Sequence, residues 1–451
     1  MNVRDFQNAN VTVIGAARSG VAAAKLLQRQ GARVFVSDSG KGEKLQPFVS
    51  QLSAAGIEFE LGAHTERVYD CSLMVISPGV PSSAPVVVEA QKRGVRVLSE
   101  LEVASRFCPC PIIAITGSNG KTTTTTLVGR ILGDAKKKHV VAGNIGTAFS
   151  AVVLELDQAA LAVLEVSSFQ LDHCETFRPW ISVILNITPD HMDRYGNSME
   201  RYAASKSRIF MNQRSDDILI SSTDDQWTAR SVGAAKCRKI GFSIQRELNE
   251  GAFTDRGKMI TVLNGKRTEI IHTNEISIPG MHNLSNAMAA TLVGQLCGVS
   301  PASIRATLRN FKGVEHRLEF VRVVNGVRYV NDSKATNVDS VWYALQAFDE
   351  PIVLLLGGRD KGNDYSKLHD LVERRVRAIV AIGESADKVV AAFGSRKETT
   401  KASSMDEAVR LAQSLAKAGD VVLLSPACAS FDWFQNYEHR GMVFKELVRQ
   451  L

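Results

Sequence analysis

Ile115-Thr-Gly-Ser-Asn-Gly-Lys-Thr-Thr123 lies between a short apolar run and a segment with helical spacing. Small residues at such a junction let the backbone wrap a phosphate, and successive N–H groups at a helix N-terminus supply positive potential. In that setting Gly117, Ser118, Asn119, Gly120 and Thr123 form the cradle, Lys121 reaches the β- and γ-phosphates, and the Thr122 hydroxyl meets magnesium. The strict P-loop pattern has a glycine where this chain has Ile115, so the loop is a compact variant. The stretch predicts a strand–loop–helix unit that binds a nucleoside triphosphate.

Outward from this loop the same pattern repeats. Val11–Ile14, Val34–Val36, Leu73–Ile76, Ile112–Ile115, Leu161–Leu164, Val183–Leu185, Ile352–Leu356, Ala378–Ile382 and Val421–Leu424 are apolar runs that end near polar or small residues. Strands covered by helices on both faces read this way, because neither face needs polar residues. Strand–helix alternation predicts an α/β architecture. Two stretches read as joints: the proline-rich Phe107-Cys-Pro-Cys-Pro111, and Phe311-Lys-Gly-Val-Glu-His-Arg317 before the alternating Leu318–Val324. Domains over residues 1–108, 109–312 and 313–451 follow. Residues 217–280 read as polar and strand-like, without a motif.

Further candidate groups gather at strand ends. Val13-Ile-Gly-Ala-Ala-Arg-Ser-Gly20, with Asp38 after the next strand, is a degenerate dinucleotide fingerprint. Ala17 replaces the middle glycine that lets a pyrophosphate approach, so another diphosphate nucleotide competes with NAD for this site. Ser77-Pro-Gly79 adds a second turn at the same carboxyl edge, where ligands of open α/β sheets bind. Glu165 begins Glu-Val-Ser-Ser-Phe-Gln170, and Asp190, His191 and Asp193 follow in Thr188-Pro-Asp-His-Met-Asp-Arg-Tyr195. Strands beside a phosphate loop deliver magnesium ligands from such positions.

Composition narrows the class. The 451 residues carry a formal charge of +7, with 45% hydrophobic and 22% charged residues, as in an ordinary globular protein. The densest basic cluster, Lys136-Lys137-Lys138, has no interleaved aromatics, so no nucleic-acid platform is expected. Seven scattered cysteines without a C-x-x-C pair argue for reduced thiols rather than disulfides or structural zinc. No apolar run approaches the ~20 residues that cross a bilayer, and no signal peptide is apparent. A cytoplasmic protein without membrane attachment is expected.

Taken together, the phosphate loop, Glu165-Val-Ser-Ser, Asp190-His-Met-Asp, His282-Asn-Leu-Ser-Asn286, His316-Arg317 and Asn331-Asp-Ser-Lys-Ala-Thr-Asn337 occur in an order that resembles the Mur ligase family. Gly143-Asn-Ile-Gly146, Gly357-Gly-Arg-Asp-Lys361 and Leu424-Ser-Pro-Ala-Cys-Ala-Ser430 look like its D-glutamate-adding branch. The Asp-Asn-Pro-Arg tetrapeptide of the diaminopimelate-adding relative is absent. The resemblance implies three domains: a Rossmann-like N-terminal domain, a central P-loop-type ATPase domain and a Rossmann-like C-terminal domain. It implies a monomer that uses ATP and two magnesium ions to join D-glutamate to UDP-N-acetylmuramoyl-L-alanine through an acyl phosphate.

Residue by residue, the resemblance gives Ser19, Asp38, Ser39, Ser77, Pro78, Gly79 and Asn144 to the UDP substrate. Lys121, Thr122 and Glu165 go to the triphosphate and metal, Asn283 and Asn286 to adenine, and Arg317 and Asp332 to phosphates and ribose. Lys334, Thr336, Lys361, Ser430 and the Tyr437 backbone go to D-glutamate, although the family has phenylalanine at the place of Tyr437. Lys206, in Ala203-Ala-Ser-Lys-Ser-Arg-Ile209, matches a lysine that carbon dioxide converts to a carbamate, which would join His191 at a second magnesium. Read from its own context alone, Lys206 is a surface lysine on an amphipathic helix, the commonest fate of that residue. The base for the attacking amine stays open, with His191 one candidate. Alternatives are a folylpolyglutamate-type ligase, another Mur ligase, a nucleotide-dependent switch without ligase chemistry, and an NAD-dependent oxidoreductase.

Overall fold

The computed structural model describes residues 6–42, 45–360 and 362–451. The apolar runs become strands, with one displacement: where Val183–Leu185 was expected, the strand is Ile181–Ile184. The strands build three sheets. In the first, Glu58–Leu61, Arg33–Asp38, Asn10–Ile14, Leu73–Ile76 and Arg96–Ser99 lie side by side, all parallel. The strand order reverses direction between Asn10–Ile14 and Leu73–Ile76, which opens a crevice at their carboxyl ends. Their register pairs Ile14 with Ile76, so the turns that start at Gly15 and Ser77 leave the sheet together.

The second sheet has nine strands, and Ile112–Thr116 lies between Ile181–Ile184 and Leu161–Glu165. Ile115 pairs with Glu165 and Thr116 with Ile184, so the root of the phosphate loop is flanked by the carboxyl ends of both neighbouring strands, one of them ending in Glu165. Within the motif-free stretch, residues 218–272 extend this sheet. Ile218–Ser222 and Arg238–Ser243 add in parallel, and Gly251–Asp255, Lys258–Leu263 and Lys266–His272 follow as an antiparallel meander at one edge. Both of its hairpin turns, Arg256-Gly257 and Asn264-Gly265, have positive φ at both residues, matching the right-handed twist of the flanking strands.

The third sheet orders Glu319–Val324, Val327–Asn331, Val421–Leu424, Ile352–Gly357, Val376–Ile382 and Glu398–Lys401, with only the first pair antiparallel. The chain packs as two compact units. The first runs to Glu275 and takes up Ser285–Arg309; the second comprises Ile276–Leu284 and Asn310–Leu451. Two sheets belong to the first unit and share a core in which Leu26 and Leu101 join Phe149 and Leu164. No helix among the described residues is long and apolar enough to cross a membrane.

Candidate functional site

The phosphate loop is fixed from both sides. Gly120 caps the helix Lys121–Asp134 with φ +87°, a left-handed conformation that costs glycine nothing. A Cβ there would lie 2.2 Å from Asn286 Oδ1, so that amide packs directly on the helix start. The other wall is Asn186–Thr188. Asn186 accepts the Asn119 N–H at 2.8 Å and donates to the Asn119 carbonyl at 3.0 Å, while Ser118 Oγ donates to the Thr188 carbonyl at 2.7 Å. The loop therefore keeps its shape through groups 67 to 70 residues away.

Two lysines converge on it. Lys121 Nζ donates to the carbonyls of Gly117 and Ser118 at 2.8 Å each, and Lys206 Nζ donates to the same Gly117 carbonyl at 2.8 Å. Lys206 is 1% exposed and lies 4.6 Å from the centre of the Tyr202 ring. Burial, together with the nearby charge of Lys121, pulls its pKa well below the ordinary lysine range. Of the two readings of Lys206, the surface lysine is thus set aside: the side chain is an interior amine.

Glu165 is buried at the end of its strand. One oxygen accepts from the Asn144 amide at 2.9 Å; the other, Oε2, is buried without a hydrogen-bond partner among the described residues. An orphaned carboxylate oxygen is costly unless a cation meets it. His191 opens a turn at φ +53°, stacks edge-on against Phe169 at 5.2 Å and lies 3.7 Å from Asp190. Among the described residues no group of three or more His, Cys, Asp or Glu side chains is placed to hold a metal. Of the residues expected to hold magnesium, Thr122, Glu165, His191 and Lys206, only Glu165 is a carboxylate.

At the first sheet, a cavity of about 490 Å³ is lined by Ser19, Asp38, Ser39, Ser77, Pro78, Gly79 and Asn144. These are all seven residues that the resemblance gives to the UDP substrate. Asp38 shapes the cavity: its oxygens accept the N–H groups of Ala16 and Gly40, each at 2.7 Å. Asn144 belongs to the central sheet, and its backbone N–H donates to the Glu165 carbonyl at 2.8 Å. One residue therefore lines the cavity and grips the carboxylate.

In the second unit, Lys334, Thr336 and Ser430 fall on loops around the third sheet and Tyr437 opens the helix Tyr437–Gln450; Lys361 lies outside the described residues. Lys334 Nζ donates to the Tyr437 hydroxyl at 3.2 Å, a contact that phenylalanine could not offer. Ser333 Oγ donates to the Tyr437 carbonyl at 2.9 Å. The buried Arg440 guanidinium ties the loops together, donating to Ser333 Oγ and to the carbonyls of Ser333, Cys428 and Ala429. Burial pushes the Asp332 carboxyl up to about 6, opposed by nearby Arg317 and by the Ser425 hydroxyl, which donates at 2.8 Å. Asn283, also buried, donates its amide to the Pro279 carbonyl at 2.7 Å.

Sequence reasoning missed four residues at these sites. Arg18 and His64 also line the first cavity. Asn186, which braces the phosphate loop, was readable as a polar residue directly after a strand. Arg194 donates to the carbonyls of Pro78 and Gly79, at 3.4 and 3.1 Å, and no local signal announces that contact.

Comparison with known proteins finds three matching stretches of the chain. Residues 9–99 match the MurD-like N-terminal domain of Mur ligases, residues 115–294 the Mur ligase middle domain, and residues 316–428 the Mur ligase glutamate ligase domain. The chain is 47% identical over 468 aligned positions to the UDP-N-acetylmuramoylalanine--D-glutamate ligase of Chloroherpeton thalassium, covering 100% of both chains. The enzyme of the same description from Salinibacter ruber is 46% identical, again over 100% of both. In structure the chain is similar to MurF from Acinetobacter baumannii, with TM-score 0.65, 18% identity and coverage of 99% and 98%. It is also similar to the UDP-N-acetylmuramate-alanine ligase MurC from Thermotoga maritima, with TM-score 0.62, 20% identity and coverage of 98% and 99%.

Proposed function

The chain belongs to the Mur ligase family, and on that premise we propose that it joins D-glutamate to the alanyl carboxylate of UDP-N-acetylmuramoyl-L-alanine, driven by ATP, in peptidoglycan precursor synthesis. The observation that carries the reading is Asn144, which lines the first-sheet cavity and holds Glu165 beside the phosphate loop. A substrate anchored in the cavity would present its far end to the triphosphate. Residues 1–108 hold the UDP moiety, 109–312 the ATP and 313–451 the D-glutamate. The enzyme works in the cytoplasm as a monomer.

A carboxylate is a poor electrophile. An alanyl oxygen attacks the γ-phosphorus, ADP leaves, and the acyl phosphate then accepts the D-glutamate amine. The tetrahedral adduct loses phosphate and a proton to leave the amide. Lys121 and the loop N–H groups offset the charge that gathers when two anions meet. Asn283 and Asn286 hold adenine, and Arg317 and Asp332 take the phosphates and ribose. Lys334, Thr336, Lys361 and Ser430 receive D-glutamate. Magnesium held by Thr122, Glu165, His191 and carbamylated Lys206 would supply further neutralisation, and the unpartnered Glu165 oxygen fits such a cation. An interior Lys206 amine, its proton held less tightly than that of an exposed lysine, is suited to attack carbon dioxide, releasing a proton and leaving an anionic oxygen ligand.

ADP release measured with ATP, magnesium and UDP-N-acetylmuramoyl-L-alanine should require D-glutamate. L-glutamate, L-lysine and diaminopimelate should not replace it. Release with another amino acid would move the chain to a sister activity, and ATP binding without release would favour the switch reading. A second expectation concerns Asp38. Asp38→Ala leaves the buried Ala16 N–H without its acceptor, a loss of about 1–3 kcal/mol. UDP affinity by calorimetry should fall while ATP affinity holds; unchanged UDP affinity would remove Asp38 from the substrate site.

A further inference from the structure

The turn Glu315–Glu319 is strained on both sides of Arg317. His316 has φ +64° and Leu318 has φ +43°. Side-chain-bearing residues rarely adopt this left-handed region, and it persists only where the surroundings over-determine it. The Arg317 side chain itself is half-buried and makes no hydrogen bond or ion pair among the described residues.

The restraint comes from Glu319. One of its carboxylate oxygens accepts the His316 N–H and the Asn331 amide, both at 2.9 Å, and the other accepts Lys445 Nζ at 2.9 Å. Lys445, whose side chain is 8% exposed, also donates to Glu315, so one ammonium closes the turn between its two acidic ends. From the far side the Leu318 N–H donates to Asp332 Oδ1 at 3.2 Å, and the His316 carbonyl accepts the Lys334 N–H at 3.0 Å. The helix Tyr437–Gln450 comes close enough to do this because Gly441 has no side chain. A Cβ there would stand 2.2 Å from His316 Nδ1. Lys445 follows Gly441 by one helical turn, on the same face.

We propose that Glu319 and Lys445 are positioning residues for ATP, clamping the strained His316–Leu318 turn in the conformer that presents Arg317. The inference rests on the assignment of Arg317 to the ATP phosphates. A freed turn relaxes its two left-handed residues, and Arg317 then pays the cost of ordering each time ATP binds.

The test uses the full chain and steady-state kinetics with each substrate varied in turn. Lys445→Met keeps the aliphatic stem and removes the charge; Glu319→Gln keeps the shape. Each should raise the KM for ATP roughly tenfold while the KM for the UDP substrate stays within about twofold. The double variant should be no worse than the more impaired single one, because both break one clamp. Lys445→Arg should restore the wild-type value. A wild-type KM for ATP in Lys445→Met, beside an impaired Arg317→Ala, overturns the clamp alone. An unimpaired Arg317→Ala overturns the assignment of Arg317 and the clamp with it. Equal losses for every substrate together with a lowered melting temperature overturn the positioning role in favour of a purely structural one. If Glu319→Gln does not fold, Lys445→Met and its arginine rescue decide.

Discussion

Lys121→Ala should turn over roughly 100- to 1000-fold more slowly, the usual cost of removing one preorganised electrostatic donor from a transition state. Lys121 opens its helix directly after the left-handed Gly120, and its ammonium lies against the carbonyls of Gly117 and Ser118. Truncation leaves the loop braces at Asn186 and Thr188 in place, so the defect is one of charge rather than of loop shape. The first-sheet cavity shares no lining residue with the loop, and UDP-substrate binding should hold. Calorimetry with the UDP substrate, beside single-turnover ADP release, separates the two effects. Normal turnover in this variant would sink the assignment of the loop.

Lys206→Ala should lose activity on a similar scale, about 100-fold or more, for a different reason. On the proposed carbamate, the variant removes the amine that would take up carbon dioxide and with it an anionic ligand of the metal. Acetate or formate, small enough to enter the space left by the side chain, should recover a measurable part of the rate. Wild-type enzyme stripped of carbon dioxide should lose activity and regain it with bicarbonate. If bicarbonate and acetate leave both proteins unchanged, Lys206 is a structural amine and the carbamate is excluded. The buried environment makes the experiment sharp. An exposed lysine would be protonated at neutral pH and slow to react, whereas burial and the neighbouring Lys121 pull the pKa of this one well below the ordinary lysine range.

Much of the fold was legible because parallel strands announce themselves locally. Covered on both faces, runs such as Ile352–Leu356 carry no polar residues, and their ends need small or polar ones where ligands bind. The phosphate loop, Glu165 and the Ser77-Pro-Gly79 turn were read from that rule. One local signal was left unused. Asn264-Gly265 marks a two-residue hairpin, and it lies inside residues 217–280, which the structure resolves into an edge meander. Asp38 was read as a ligand contact from its fingerprint position, and the structure adds that both of its oxygens hold backbone N–H groups.

What the sequence determined by itself is the set of backbone junctions: where strands end, where glycine permits a turn, and which polar residues stand at those ends. Tertiary structure decided which junctions face one another and which charges leave water. Asn144 meets Glu165 because their strands are neighbours in the sheet. Arg194 reaches carbonyls 115 and 116 residues away, and Lys445 grips Glu319 across 126. Lys206 sits in the polar string Ser-Lys-Ser-Arg, indistinguishable there from a surface lysine, and becomes an interior amine only once its helix packs against the phosphate loop. The physical reason is the range of the forces involved. Backbone conformation is set by a residue and its immediate neighbours, whereas desolvation depends on every atom that packs around a charge, whatever its place in the chain.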